Sequence, residues 1–162
     1  MGTLKTDTIT NQAGTGAPDF PNGASIGSDS LFAPAYAVME DISNTGSQTV
    51  GTSVQFATTS ASQNITISAN KDVFTIQDAG VYHIHANVDS TTSDTNKFFR
   101  IRVNGTTNYN GQLLIAAGAR PMEVSATLNL AANDTVEIQV GGVTQNLAAS
   151  LENNRLGIFR VG

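Results

Sequence analysis

The sequence has no cysteine and no tryptophan, and it carries few charges. The absence of cysteine excludes a disulfide framework, a thiolate metal site and a cysteine nucleophile. Charged residues make up 13% of the 162 residues, against roughly 25% in an ordinary soluble domain. The net charge of −5 disfavours binding to a phosphate backbone, so we expect no nucleic acid among its partners.

Long apolar runs and catalytic motifs are also missing. No stretch of about 18 apolar residues is present, so we expect no insertion into a membrane. The first 31 residues lack the basic start and the apolar run of a secretory signal. The sequence contains neither a Gly-X-Ser-X-Gly motif nor a glycine-rich phosphate loop after a strand. We therefore expect a protein that is not an enzyme and that needs no cofactor.

Small uncharged polar residues are abundant instead: Thr, Ser, Asn and Gln account for 56 of the 162 residues. Such a composition is compatible with disorder, but the hydrophobic fraction of 40% is too high for a chain without a core. Threonine is β-branched and suits a pleated surface, whereas Asn, Ser and Gly favour turns. The composition therefore predicts an all-β protein.

The apolar pattern predicts nine or ten short strands from residue 31 onward. The predicted segments are 32–38, 54–57, 65–67, 73–76, 81–88, 98–103, 113–117, 124–130, 136–140 and 156–161. Several alternate with period two, and Asn104-Gly105 predicts a tight hairpin turn after one of them. Short strands at regular spacing are typical of a sandwich or jelly roll.

Residues 1–30 differ from the rest of the chain. The stretch from Gly14 to Gly23 is rich in glycine and proline, which suits neither a helix nor a central strand. This composition suits either a structureless tail or an extended arm that orders on a partner. We therefore divide the chain into an arm, 1–30, and a head, 31–162. The candidate docking residues of the arm are Leu4, Ile9, Pro18, Phe20, Pro21 and Ile26.

Four segments of the head resemble the C1q/TNF-like family. They are residues 74–88, where Phe74 precedes Gly80-Val81-Tyr82 and an alternating strand, and residues 99–105, 126–138 and 156–161. The last segment departs from the family, since Leu156 stands where an aromatic residue is usual. The resemblance implies a ten-stranded jelly-roll sandwich that assembles as a homotrimer and that binds rather than catalyses.

The only two histidines, His83 and His85, share one face of the strand 81–88. In the family that this sequence resembles, the corresponding face points toward the threefold axis. We therefore predict a trimer interface, whose candidates are His83, His85, Asn87, Arg155 and Phe159. Interface packing is one interpretation of the histidines, and an axial metal ion or a pH switch is the other.

The start of the chain resembles the N-terminal segments of tail-fibre and other virion proteins of tailed bacteriophages, cyanophages among them. Residues 17–23, APDFPNG, carry most of this likeness. It implies an extended arm that takes part in trimerisation and that docks to other virion proteins of the tail, baseplate or capsid. The expected location is the virion, assembled in the cytoplasm of the bacterial host.

Three roles fit the sequence. The first is a short tail fibre whose knob binds a host-surface glycan, and the second is a capsid decoration protein at threefold or quasi-threefold sites. The third is a non-viral bacterial C1q-like adhesin. For the first role, exposed loops at 90–96 and 106–111 would carry recognition, with Thr107, Tyr109 and Asn110 as receptor-loop candidates. Arg100 and Arg102 share a strand face and suit either an anion clamp or a solvated surface.

Overall fold

The computed structural model describes residues 34–94, 96–110, 120–149 and 153–162, together with the backbone of two short strands before them. The chain divides into two units, Met1–Ala33 and Pro34–Gly162. In the first unit, strand β1 (Ser25–Ile26) pairs antiparallel with β2 (Asp29–Ser30). The predicted docking residue Ile26 lies in β1, whereas Leu4, Ile9, Pro18, Phe20 and Pro21 lie outside the described residues. The docking role of the arm stays a prediction.

The second unit is built from β-strands throughout its described residues. In chain order they are β3 (Tyr36–Ile42), β4 (Gly46–Gln48), β5 (Phe56–Gln63), β6 (Ile65–Ile67), β7 (Phe74–Ile76), β8 (Gly80–Ser90), β9 (Phe98–Val103), β10 (Thr107–Asn110), β11 (Arg120–Leu130), β12 (Thr135–Gly141), β13 (Gln145–Leu147) and β14 (Arg155–Arg160). In the part of the chain that the structure describes, no helix is long and apolar enough to cross a bilayer.

The strands form two antiparallel sheets that pack as a sandwich. Five strands of the first sheet lie side by side in the order β5-β3-β14-β8-β11, and the small pair β4-β13 joins it at the end of β8. The second sheet has the order β10-β9-β12-β7-β6. Several neighbouring strands are far apart in the sequence, as where β14 lies between β3 and β8, and this crossing order is that of a jelly roll. The predicted ten-stranded all-β architecture is confirmed, with β4 and β13 as additions.

Period-two alternation accounts for the core between the sheets. Along β8 the side chains of Tyr82, Ile84, Ala86 and Val88 are all fully buried, and their neighbours point to the outer face. The rings of Phe56 and Phe74 meet edge to face, with centroids 6.2 Å apart, a geometry that aromatic pairs prefer. Leu156 is also buried, so a leucine fills the core position where the C1q/TNF-like pattern has an aromatic residue.

The first head strand differs from its prediction. The sequence favoured 32–38, but β3 runs Tyr36–Ile42 and contains a bulge between Val38 and Met39. Acidic Glu40 and Asp41 hide the second half of the strand from an apolar pattern. Met39 pairs with β14 and Ile42 with β5, and both side chains lie in the core. The predicted strand 113–117 lies outside the described residues.

Candidate assembly interface

The outer face of β8 presents the two histidines predicted for assembly. Val81, His83, His85 and Asn87 alternate with the buried side chains of the same strand. The prediction that both histidines share one face, opposite Tyr82 and Ile84, is therefore confirmed. The alternation alone determined this result, since side chains two residues apart on a strand point to the same side.

Strand β14 brings the other predicted interface residues to this face. Antiparallel pairing sets Phe159 opposite His83, Gly157 opposite His85 and Arg155 opposite Asn87. We call this surface, made of Val81, His83, His85, Asn87, Arg155, Gly157 and Phe159, the assembly face. The structure thus places all five predicted interface residues on one surface of the seven-stranded sheet, and their role in a trimer stays a prediction.

An exposed apolar cluster lies at one end of the assembly face. Phe159 is 43% exposed and Val81 is 36% exposed, and Val161, which follows β14, is 62% exposed. The backbone of Val161 bonds to Val81, with its N–H donating to the Val81 carbonyl over 2.7 Å. Large apolar side chains grouped on a surface are typical of an interaction site.

Gly157 allows the ring of Phe159 to lie flat along the sheet. A Cβ atom at position 157 would come within 2.5 Å of Phe159 Cε2, closer than any real carbon contact. A larger residue at 157 would therefore push the ring away from the sheet. Because the ring lies along the sheet, it projects little from the assembly face, and another protein surface can approach closely.

Each histidine has one partner on the neighbouring strand β11. Nδ1 of His83 lies 3.1 Å from the Thr127 hydroxyl, and Nδ1 of His85 lies 3.4 Å from a carboxylate oxygen of Glu123. Among the described residues, neither Nε2 has a hydrogen-bond partner. The imidazoles are thus fixed through one nitrogen and can offer the other to a neighbouring molecule.

The metal interpretation of the histidines gains no support from one protomer. Within the described ranges, no group of three His, Asp or Glu side chains could hold a metal ion. An axial ion would need imidazoles from several copies of the chain. Both the metal and the pH-switch interpretations stay predictions.

The receptor-loop candidates lie on a strand and not in a loop, which corrects the sequence interpretation. Thr107, Tyr109 and Asn110 belong to β10, the exposed edge strand that pairs with β9. The physical reason is the turn before them: Asn104 and Gly105 both have positive φ, 52° and 64°, as a primed hairpin turn requires. The chain therefore returns along β9 at once, and no loop forms at 106–110.

The other predicted recognition loop is held firmly at its ends. Lys97 is buried and its Nζ donates to the Thr92 carbonyl, while the backbone N–H of Asn146 donates to the Thr92 hydroxyl over 2.6 Å. Burial lowers the pKa of Lys97, and the Asp89 carboxylate partly offsets that effect. The N–H and the hydroxyl of Thr91 also donate to the Asn146 carbonyl, and the Asp94 carboxylate accepts from the N–H of Asn96.

A polar network covers the outer face of the five-stranded sheet. Arg100 Nε and Arg102 Nη1 both donate to Oε1 of Gln139, at 3.3 and 3.5 Å. On the other side, the Gln139 amide donates to Glu137 over 3.1 Å, and the Ser53 hydroxyl donates to the same carboxylate over 2.6 Å. We call Ser53, Arg100, Arg102, Glu137 and Gln139 the arginine face.

Gln139 and Ser53 are the residues of this network that sequence reasoning missed. Alternation places Gln139 on the same face as Glu137, but only the register of β12 with β9 sets it opposite Arg100. Ser53 reaches β12 through an isolated bridge to Gln139. No local pattern signals that contact, because the two residues are 86 positions apart in the chain.

Comparison with known families identifies the head. The family described as "BclA C-terminal domain" matches residues 41–162. No curated protein matches the chain significantly.

Solved structures share the fold at low sequence identity. Murine APRIL superposes with a TM-score of 0.62 and 11% identity, covering 79% of this chain and 99% of its own. The Eiger TNF of S. frugiperda gives 0.64 and 10%, covering 81% and 94%. The globular domain of zebrafish complement 1qA gives 0.59 and 16%, covering 81% and 98%. The C1q/TNF-like jelly roll is therefore confirmed.

Proposed function

Since this chain belongs to the BclA C-terminal domain family, we propose that it is a non-catalytic, self-assembling protein whose head forms a homotrimer. The observation that carries the proposal is the assembly face. His83, Arg155 and Phe159 share that surface with exposed Val81. A surface that exposes apolar groups and small residues is stabilised by burial against another copy.

The proposal extends to the particle that carries the trimer. The resemblance of residues 17–23 to bacteriophage virion proteins supports a virion component, assembled in the bacterial cytoplasm and docked through its arm to other virion proteins. We propose the role of a short tail fibre, whose head binds a host-surface glycan. The exposed edge strand β10, with Thr107, Tyr109 and Asn110, supports a recognition surface at the sheet edge.

The oligomeric state of purified protein tests the assembly. We expect a trimer in light scattering coupled to size-exclusion chromatography. Phe159→Asp places a charge without a counter-ion in the interface, and we expect the trimer to weaken by roughly 100-fold or more, because an unpaired buried charge costs several kcal/mol.

Tyr109→Asp is the matched control for this variant. Tyr109 has a similar exposure, 38%, but it lies on the other sheet, so its substitution leaves the trimer intact. A wild-type monomer, or equal behaviour of the two variants, would contradict the proposal.

Two binding assays separate the particle roles. A tail fibre predicts that soluble protein blocks adsorption of the phage to its host. A decoration protein predicts binding to empty capsids, lost on deletion of residues 1–30. Binding of the isolated head to bacterial surfaces, with no effect on either phage assay, would instead assign the chain to non-viral adhesins.

A further inference from the structure

We infer that the arginine face is a binding site for the carboxylate group of an acidic saccharide. The source of the saccharide, a host-cell surface, follows from the proposed attachment role, and to that extent the inference rests on the proposed function. The binding itself does not require a trimer. The arginine face is separate from the assembly face, because the two surfaces lie on opposite sides of the sandwich. A copy of the chain on the assembly face would leave the arginine face open.

The first argument is the unmatched positive charge of the arginine face. Arg102 and Glu137 are direct partners in the register of β9 and β12, yet the described residues contain no ion pair between them. The carboxylate of Glu137 instead accepts from Ser53 and Gln139. Two guanidinium groups therefore share one neutral amide oxygen, although each is suited to a carboxylate.

The second argument is the number of donors left over. Arg100 uses only Nε, and neither of its terminal nitrogens has a hydrogen-bond partner among the described residues. Nε of Arg102 is buried without an acceptor, while its Nη2 donates to the Gly105 carbonyl. Buried donors without acceptors are uncommon in native proteins. An anion bound to Arg100 would supply acceptors for its two terminal nitrogens, and together with Glu137 it would balance the two positive charges.

The third argument concerns the type of anion. The chain has a net charge of −5, and the Glu137 carboxylate lies close to the arginines. A polyanion would be repelled by both, whereas a ligand with a single negative charge is repelled less, because the repulsion scales with the charge of the ligand. This charge pattern favours a monocarboxylate over nucleic acid or a polyphosphate.

The fourth argument concerns the groups beside the arginines. On the edge strand β10, Asn110 is the register partner of Arg100 and Asn108 is that of Arg102, and both asparagines are exposed. A side-chain amide both donates and accepts, as sugar hydroxyls do. Charged donors flanked by amides match a sugar that carries a carboxylate, and a simple carboxylate would leave the amides unused.

Nuclear magnetic resonance titration tests the inference on the full chain. The probes are glucuronate, glucose, acetate and inorganic phosphate, added at millimolar concentrations at constant ionic strength. We expect glucuronate to shift the side-chain N–H signals of Arg100 and Arg102 and to bind more tightly than the other three. Absence of these shifts, equal binding of acetate, or tighter binding of phosphate would each overturn the inference.

Matched variants connect the binding to the arginine face. We expect Arg100→Gln to weaken glucuronate at least 10-fold and Arg100→Lys to weaken it less, since lysine keeps the charge but loses the fork of donors. Glu137→Gln removes a repelling charge and strengthens binding a few-fold. Lys71→Gln changes the net charge as Arg100→Gln does. Lys71 follows β6, at the edge of the sheet opposite to β10, so we expect this variant to leave binding unchanged. Equal effects of the Lys71 and Arg100 variants would reduce the interaction to net charge and contradict the site.

The outcomes separate this inference from the proposed function. A trimer in light scattering that shows no glucuronate binding contradicts the saccharide site alone. Glucuronate binding by a protein that stays monomeric contradicts the trimer and keeps the site. Thermal unfolding of each arginine variant shows whether the sandwich remains folded, and Arg100→Lys provides a second variant if Arg100→Gln does not fold.

Discussion

The two outer faces of the sandwich lie on either side of one core and differ in their side chains: one exposes apolar groups and the other carries arginines. The assembly face exposes Phe159 and Val81 beside two histidines, and His85 lies 3.4 Å from the exposed Glu123 carboxylate of the neighbouring strand. The arginine face carries two guanidinium groups, a carboxylate and a buried amide in a continuous network. The difference indicates that one face is suited to being covered by protein and the other to remaining in water.

Energetic reasoning supports the same division. Exposed apolar area gains roughly 25 cal/mol per Å² when another surface covers it. The guanidinium groups of the arginine face would lose hydration if protein covered them, and that loss exceeds the gain unless each charge finds a partner. Two sheets of one domain can therefore serve assembly and binding without competing for the same surface.

The largest expected effect comes from the core that supports both faces. Phe74 is fully buried in β7 and packs against Phe56. We expect Phe74→Ala to lower the free energy of unfolding by about 3–5 kcal/mol, because it leaves a cavity as well as losing apolar burial. Urea unfolding measures the change. Loss of trimer and of glucuronate binding together would follow, whereas an unchanged unfolding midpoint would contradict the core assignment.

A smaller change in the free energy of unfolding is expected from hydrogen-bond partners on the two faces, and its size should differ between them. Gln139 is only 2% exposed, and Gln139→Ala removes the shared acceptor of both arginines. We expect a loss of about 1–3 kcal/mol, since buried donors are left without partners. Thr127→Ala removes the partner of His83 on the exposed assembly face, and we expect a change within about 0.5 kcal/mol. Chemical denaturation compares the two variants, and equal losses would contradict the contrast between the faces.

The smallest expected effect is a loss of folding stability at alkaline pH that depends on Tyr82, on the buried side of β8. Burial raises the pKa of Tyr82, and Arg160 partly offsets the rise. Above about pH 10 the unfolded chain loses this proton while the folded chain keeps it. Stability therefore falls as the pH rises from the unfolded pKa of tyrosine to the higher folded one.

The Tyr82→Phe variant tests that assignment by denaturant unfolding between pH 9 and 11. At neutral pH it costs about 1 kcal/mol, because the hydroxyl donates to the Asp78 carbonyl. At alkaline pH the variant should lose less stability than the wild type. Tyr109→Phe, at an exposed position, should keep the alkaline loss of the wild type. An unchanged alkaline loss in Tyr82→Phe would contradict the assignment.

Sequence reasoning succeeded where a pattern is local. The strand 98–103 was predicted with its observed bounds, and the face shared by His83 and His85 followed from period two. It failed where a neighbouring strand of the sheet determines whether a segment forms a strand. The strand β3 continues through its acidic residues because β14 and β5 pair with it, and the residues after Asn104-Gly105 form β10 because β9 offers a free edge.

The sequence by itself determined the all-β class, the hairpin turn and the alternation of each strand, because these depend on residues a few positions apart. Only the tertiary structure decided that Phe159 lies opposite His83 and that Gln139 lies between Arg100 and Glu137. The reason is register. A shift of one residue between two strands reverses every side chain of one strand relative to the core, and contacts across the whole sandwich select the register. The two faces, and the functions proposed for them, are consequences of that selection.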